Sequence, residues 1–134
     1  YNVRFGDPET QSIMPRLGTG FLDLLLAAAE GAPLPSVEVL DCATCTLVIA
    51  SGGYPGSYEK GKQISLPEKQ ENVLLFHAGT AIQESDIVTA GGRVLNVTSH
   101  DISLERARYN VYQYVKNVHF DGLFYRMDIA QFEA

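Results

Sequence analysis

Behind Gly31 stand two prolines two residues apart, Pro33 and Pro35, and they divide the chain into parts with different hydrophobic periods. Proline has a fixed φ and no backbone N–H, so neither a helix nor a central strand runs through such a pair. Before it, Phe21 to Glu30 places leucines at 22, 25 and 26, the apolar stripe of a helix that Thr19 is placed to cap and Gly31 to stop. Beyond it come short β-rich runs, Thr44 to Ala50, Lys62 to Leu66, Val73 to His77, Ile87 to Thr89 and Arg93 to Ser99, separated by glycine, proline and polar turns. A third helix starts at Asp101 or Ser103 and carries Leu104, Ala107, Val111, Val115 and Val118 at helical spacing. Leu123 to Ile129 reads as a closing strand. The expectation is an α+β fold, a small mostly antiparallel sheet or half-barrel with a helix packed across it.

Size and charge narrow the function classes. At 134 residues and 46% hydrophobic, the chain suits one globular domain with its own core. Its formal net charge of -6 argues against sequence-independent nucleic-acid binding, which needs an excess of lysine and arginine. The longest strongly apolar run, Phe21 to Ala29, is far short of the ~20 residues that span a bilayer, so no membrane partner is expected and the reading is a cytoplasmic protein. Cys42-Ala43-Thr44-Cys45 is a single C-x-x-C with no second pair, and it leads into a strand, so neither zinc nor thioredoxin-like chemistry is expected. Asn96-Val97-Thr98 matches a glycosylation sequon that a cytosolic protein would not use.

The densest polar chemistry lies at the start. Tyr1 to Phe5 alternates as a strand, with Val3 and Phe5 on one face and Asn2 and Arg4 side by side on the other. Gly6 turns the chain, Asp7 reads as an N-cap, Pro8 as a first helical residue and Glu9 as a first-turn carboxylate. An amide oxygen suits a hard cation and a guanidinium suits phosphate, so the bend reads as a nucleotide-phosphate site. A solvated face of an edge strand uses the same residues, and spacing leaves the two readings level. Elsewhere structural readings are favoured. Gly52-Gly53-Tyr54-Pro55-Gly56 lacks the following helix of a phosphate loop and reads as a tight turn. His77 reads as a structural histidine. Arg93, and Arg126 with Asp128 two residues on, could anchor a substrate phosphate, but pairing within the fold is the preferred reading.

The string Asn2-Val3-Arg4-Phe5-Gly6-Asp7-Pro8-Glu9-Thr10-Gln11 resembles the last metal-binding strand of the ATP-grasp ligases, in the form seen in the phosphoribosylamine-glycine ligase family. Ser51 to Gly61, Phe76 to Thr80, Gly91 to Leu95 and His119 to Ile129 are similar to that family's successive C-terminal blocks, in order. Leu17-Gly18-Thr19-Gly20-Phe21 departs from the family's leucine-lysine-serine-aspartate-leucine run, so no substrate contact is carried over there. The resemblance implies a ligase that joins glycine to 5-phosphoribosylamine with ATP as co-substrate and Mg2+ (or Mn2+) as cofactor, in purine biosynthesis. It implies Asn2 as a metal ligand, Arg4 and Asp7 as catalytic, and Arg4, Asp7 and Glu9 as substrate-binding. A second metal-binding glutamate and the adenine-holding lobes are expected upstream of Tyr1. Residues 1–31 would then end the ATP-grasp domain, 32–36 link, and 37–134 form the C-terminal domain, packed on those lobes. The alternatives are a non-catalytic packing module, or a portion of another ATP-grasp carboxylate-amine ligase.

Overall fold

The computed structural model of the chain describes residues 3–131. Two helices come first, α1 (Glu9–Ile13), which passes into a 3₁₀ turn at Met14–Arg16, and α2 (Phe21–Glu30). Then follow β1 (Ala43–Ser51), β2 (Val73–His77), β3 (Thr80–Gln83), β4 (Asp86–Thr89), β5 (Arg93–Asp101), α3 (Leu104–Val115) and β6 (Leu123–Phe124). The main sheet has the order β2-β5-β1-β6 with every neighbouring pair antiparallel, and β3 and β4 form a separate hairpin. This is the α+β arrangement expected, with one helix across an antiparallel sheet.

The two faces of that sheet differ in chemistry. Cys45, Leu47 and Ile49 of β1 stand opposite Ser99, Val97 and Leu95 of β5, all buried. Ala107, Val111, Tyr114 and Val115 of α3, spaced at one helical face, close the core with this apolar face. Thr44, Thr46 and Val48 occupy the alternate positions of β1, facing His100, Thr98 and Asn96. That second face is polar, and α1 lies on it. Ser12 Oγ donates to Thr46 Oγ1 at 2.7 Å, Thr44 Oγ1 donates to the Ser12 carbonyl at 2.8 Å, and Thr46 and Thr98 hydroxyls pair at 2.8 Å.

Several local expectations give way to tertiary contacts. Val3 to Phe5 form no strand, and Val3 and Phe5 are 95% and 63% exposed instead of sharing a buried face. Thr19 does not cap α2; its hydroxyl and amide both donate to Glu38 Oε2, and Gly20, at φ 90°, takes the cap position. Leu22, Leu25 and Leu26 are 77%, 40% and 55% exposed, so the apolar stripe of α2 meets no core among the described residues. Lys62 to Leu66 makes single bridges to two different partners, Gln63 to Val88 and Ser65 to His119, because the hairpin and the 119 segment flank it in turn. The closing strand is only Leu123–Phe124. Beyond it Arg108 of α3 donates Nε to the Ile129 carbonyl (2.9 Å) and Nη2 to the Met127 carbonyl (2.8 Å), while Tyr112 Oη donates to the Arg126 carbonyl (2.8 Å) and accepts from the Ile129 amide (3.2 Å). Side chains of α3 thus satisfy a backbone that a sheet ladder would otherwise have claimed. α3 itself ends at Val115, and Val118 stays buried beyond the helix.

Candidate functional site

The polar bend at the start of the chain is built against the sheet by residues almost ninety positions away. The Gly6 carbonyl accepts from the Thr10 amide at 2.9 Å and from Thr10 Oγ1 at 2.6 Å, which closes the first turn of α1. Asp7 does not cap this helix. Pro8 stands at the cap position with no side-chain bond, and α1 begins at Glu9. The Asp7 carboxylate turns to β5, where Oδ1 accepts from Asn96 Nδ2 at 2.7 Å and Oδ2 faces Arg93 Nη2 at 3.2 Å. Gln11 Nε2 donates to the same Oδ1 at 3.1 Å, and Arg93 Nη1 donates to the Asp7 backbone carbonyl at 2.6 Å. Turned to β5, this carboxylate has three partners, Asn96, Gln11 and the Arg93 guanidinium, where an N-cap bond would give it one. Its pull also orients both amides, whose buried oxygens, Gln11 Oε1 and Asn96 Oδ1, have no donor among the described residues.

A bulge in β5 makes this convergence possible. Ile49 pairs with Leu95 but Ala50 pairs with Arg93, so Val94 is skipped in the register. With uninterrupted pairing Arg93 would face the α3 side of the sheet; the extra residue turns it to the same side as Asn96. The segment before β5 is anchored as tightly. A methyl on Gly79 would stand 2.7 Å from Gly91 Cα, and the Ala90 and Gly91 amides both donate to the Gly79 carbonyl, so two turns meet backbone to backbone.

Of the candidate residues, Asn2 lies outside the described residues. Arg4 is exposed, with Nη1 3.5 Å from the Phe5 carbonyl. Glu9 is exposed and folds back over Gly6, where a methyl would stand 2.5 Å from its Oε2. Asp7 joins Arg93, Asn96 and Gln11 as described. Beside Pro8 opens a cavity of about 310 Å³, bounded also by Val48, Tyr54, Phe124, Arg93 and Arg126. Arg126 pairs with Asp128 through both Nε (2.9 Å) and Nη2 (2.5 Å), and this partner holds the Asp128 carboxyl below its usual range. Arg93 and Arg126 thus both pair within the fold. His77 Nδ1 lies 3.0 Å from Thr80 Oγ1. The glycine run after β1 is a turn, with Gly53 at φ 93°, and burial raises the pKa of the free Cys45 thiol in the core. Asn96 was legible only as half a sequon. The signal that marks it is Asn96 and Thr98 alternating with Leu95 and Val97, a polar face that needs a polar partner.

The family described as "Phosphoribosylglycinamide synthetase, C domain" matches residues 44–132. The phosphoribosylamine-glycine ligase of Rhizobium meliloti is 47% identical over 132 residues, covering 97% of this chain and 31% of that protein. A bifunctional purine biosynthetic protein of Schizosaccharomyces pombe is 44% identical over 133 residues, covering 97% of this chain and 17% of its own length. The crystal structure of phosphoribosylamine-glycine ligase from Thermotoga maritima superposes with a TM-score of 0.84 at 41% identity, over 97% of this chain and 32% of that one. The chain therefore spans a third or less of the proteins it matches. On the matched segment, the identity to these relatives and the shared fold, the chain belongs to the phosphoribosylglycinamide synthetase C-domain family.

Proposed function

We propose that this chain is the C-terminal portion of an ATP-dependent ligase, soluble in the cytoplasm, that joins glycine to 5-phosphoribosylamine in purine biosynthesis. The observation that carries this reading is the match over 97% of the chain to enzymes named phosphoribosylamine-glycine ligase. In this reading residues 1–31 end an ATP-grasp domain, 32–36 link, and 37–134 form the C-terminal domain. The rest of the longer protein packs on the exposed faces of α1 and α2, neither of which has a buried residue.

The chemistry follows in two steps. The glycine carboxylate takes the γ-phosphoryl group of ATP, giving glycyl phosphate and ADP. The amine of phosphoribosylamine then attacks the carbonyl carbon, a C–N bond forms, the bond to phosphate breaks, and the amine loses a proton. Arg4 neutralises charge on the phosphoryl oxygens as they move, and Asp7 and Glu9 hold the ammonium of glycine or the attacking amine. Among the described residues no three histidine, cysteine, aspartate or glutamate side chains converge to hold a metal. Magnesium or manganese enters this reading through Asn2, whose amide oxygen is a hard donor, together with groups elsewhere in the longer protein.

The longer protein is expected to sustain ADP production over many turnovers only when glycine and phosphoribosylamine are both supplied, since the glycyl phosphate of the first step is consumed by the amine. The 134 residues alone are expected to show no turnover, since the relatives use three times this length or more. Turnover by the longer protein that ignores glycine would refute the ligase reading.

A further inference from the structure

We propose that Arg93 and Asn96 of β5 are positioning residues for the ligase reaction, holding the Gly6–Glu9 bend in place through Asp7. This rests on the ligase reading above. Arg93 grips Asp7 twice, at the backbone carbonyl (2.6 Å) and at carboxylate Oδ2 (3.2 Å), and Asn96 holds the other carboxylate oxygen at 2.7 Å. Three contacts on one residue fix both the position and the rotation of the peptide between Asp7 and the helix that follows. Glu9 lies two residues after this anchor and opens α1, so the same contacts set where its carboxylate stands.

The arrangement is specific to the fold of the C-terminal part. Asn96 is fully buried on the face of the sheet that α1 covers, so its amide has no open space to swing into while α1 stays in place. Arg93 reaches Asp7 only because Val94 is bulged out of the β1 register. Bulges of this kind re-aim a side chain at the end of a strand. The C-terminal part thereby contributes to catalysis without touching the reacting atoms: it supplies the rigid wall against which the polar bend is set.

The test is a double-mutant cycle in the longer protein. Arg93→Lys keeps the charge but cannot make both bonds, because an ammonium is a single point donor and lacks the planar fork. It is expected to lower kcat by about ten- to a hundredfold, the usual cost of a misplaced reacting group. The KM for ATP should stay within about twofold and the melting temperature within about 3 °C, since Arg93 is at the surface. Asp7→Asn is expected to lower kcat as well, and the Arg93→Lys/Asp7→Asn double variant should lose less than the product of the two single losses, because the guanidinium–carboxylate contact is shared by both changes while the bond to the Asp7 carbonyl depends on Arg93 alone. Arg126→Lys, on the same cavity but paired with Asp128, should leave kcat unchanged. If Arg93→Lys turns over like the parent, or if the two losses multiply, Arg93 does not act through Asp7 and the proposal is overturned while the ligase reading stands. If the unmodified longer protein shows no glycine-dependent turnover, the ligase reading fails and the positioning role fails with it.

Discussion

A guanidinium can hold two oxygens in one plane, whereas an ammonium offers a single charge that turns freely. Arg4 is exposed beside the bend, with Nη1 3.5 Å from the Phe5 carbonyl, and the proposed reaction sets a phosphoryl group against its fork. Replacing Arg4 by lysine in the longer protein is therefore expected to cut kcat about tenfold or more while ATP affinity changes little, since the lost contact matters most in the transition state. Steady-state rates set beside an ATP titration check this. Equal losses in both would mean that Arg4 binds ATP rather than assisting transfer. Sequence reading found the polar residues of the bend but took Asp7 for an N-cap, because N-cap chemistry is local and the Arg93 and Asn96 contacts span 86 and 89 residues. No spacing rule reaches that far.

Elements whose period is strict were legible. β1, β2, β4 and β5 fall where the apolar runs put them, and Ser103 caps α3 by accepting from the Arg106 amide at 3.3 Å. β3 was missed because its hairpin turns on Glu84 and Ser85, with Glu84 at φ 57°, where the expected signal is glycine or asparagine. α2 is the instructive case: its bounds and its Gly31 stop follow from the leucine stripe and the glycine, but burial does not. The stripe is a surface in this chain and a contact in the proposed longer protein. Leu25→Glu with Leu26→Glu is therefore expected to shift the stability of the 134-residue chain by no more than ~0.5 kcal/mol per site, and to make it more soluble. In the longer protein the same pair should lower the melting temperature by several degrees, because it sets charges against an apolar partner surface. Thermal melts of both forms decide it; equal shifts would mean that α2 faces water in each.

At the scale of the whole molecule, periodicity gives an α+β domain and no function, whereas four short blocks in order give the family, because glycines that let backbones touch are fixed in position more tightly than apolar residues are. Gly79 against Gly91 shows why: neither position has room for a side chain. The same architecture sets where the fold is strongest. β5 is paired on both sides, by β1 from Arg93 to Asp101 except at the bulged Val94 and by β2 from Leu95 to Ser99, and Leu95 to Val97 are fully buried. Opening those amides requires the sheet to come apart, so they should exchange only with global unfolding. Val3 to Phe5 belong to no ladder or helix. Hydrogen exchange on the 134-residue chain should therefore be early for Val3 to Phe5 and late for Leu47 to Ala50 and Leu95 to Val97. Uniform exchange would mean either that Val3 to Phe5 have found a pairing partner or that the sheet is no independent core. Dilution separates these outcomes, because protection that comes from pairing between copies weakens as the protein is diluted, and protection within one chain does not.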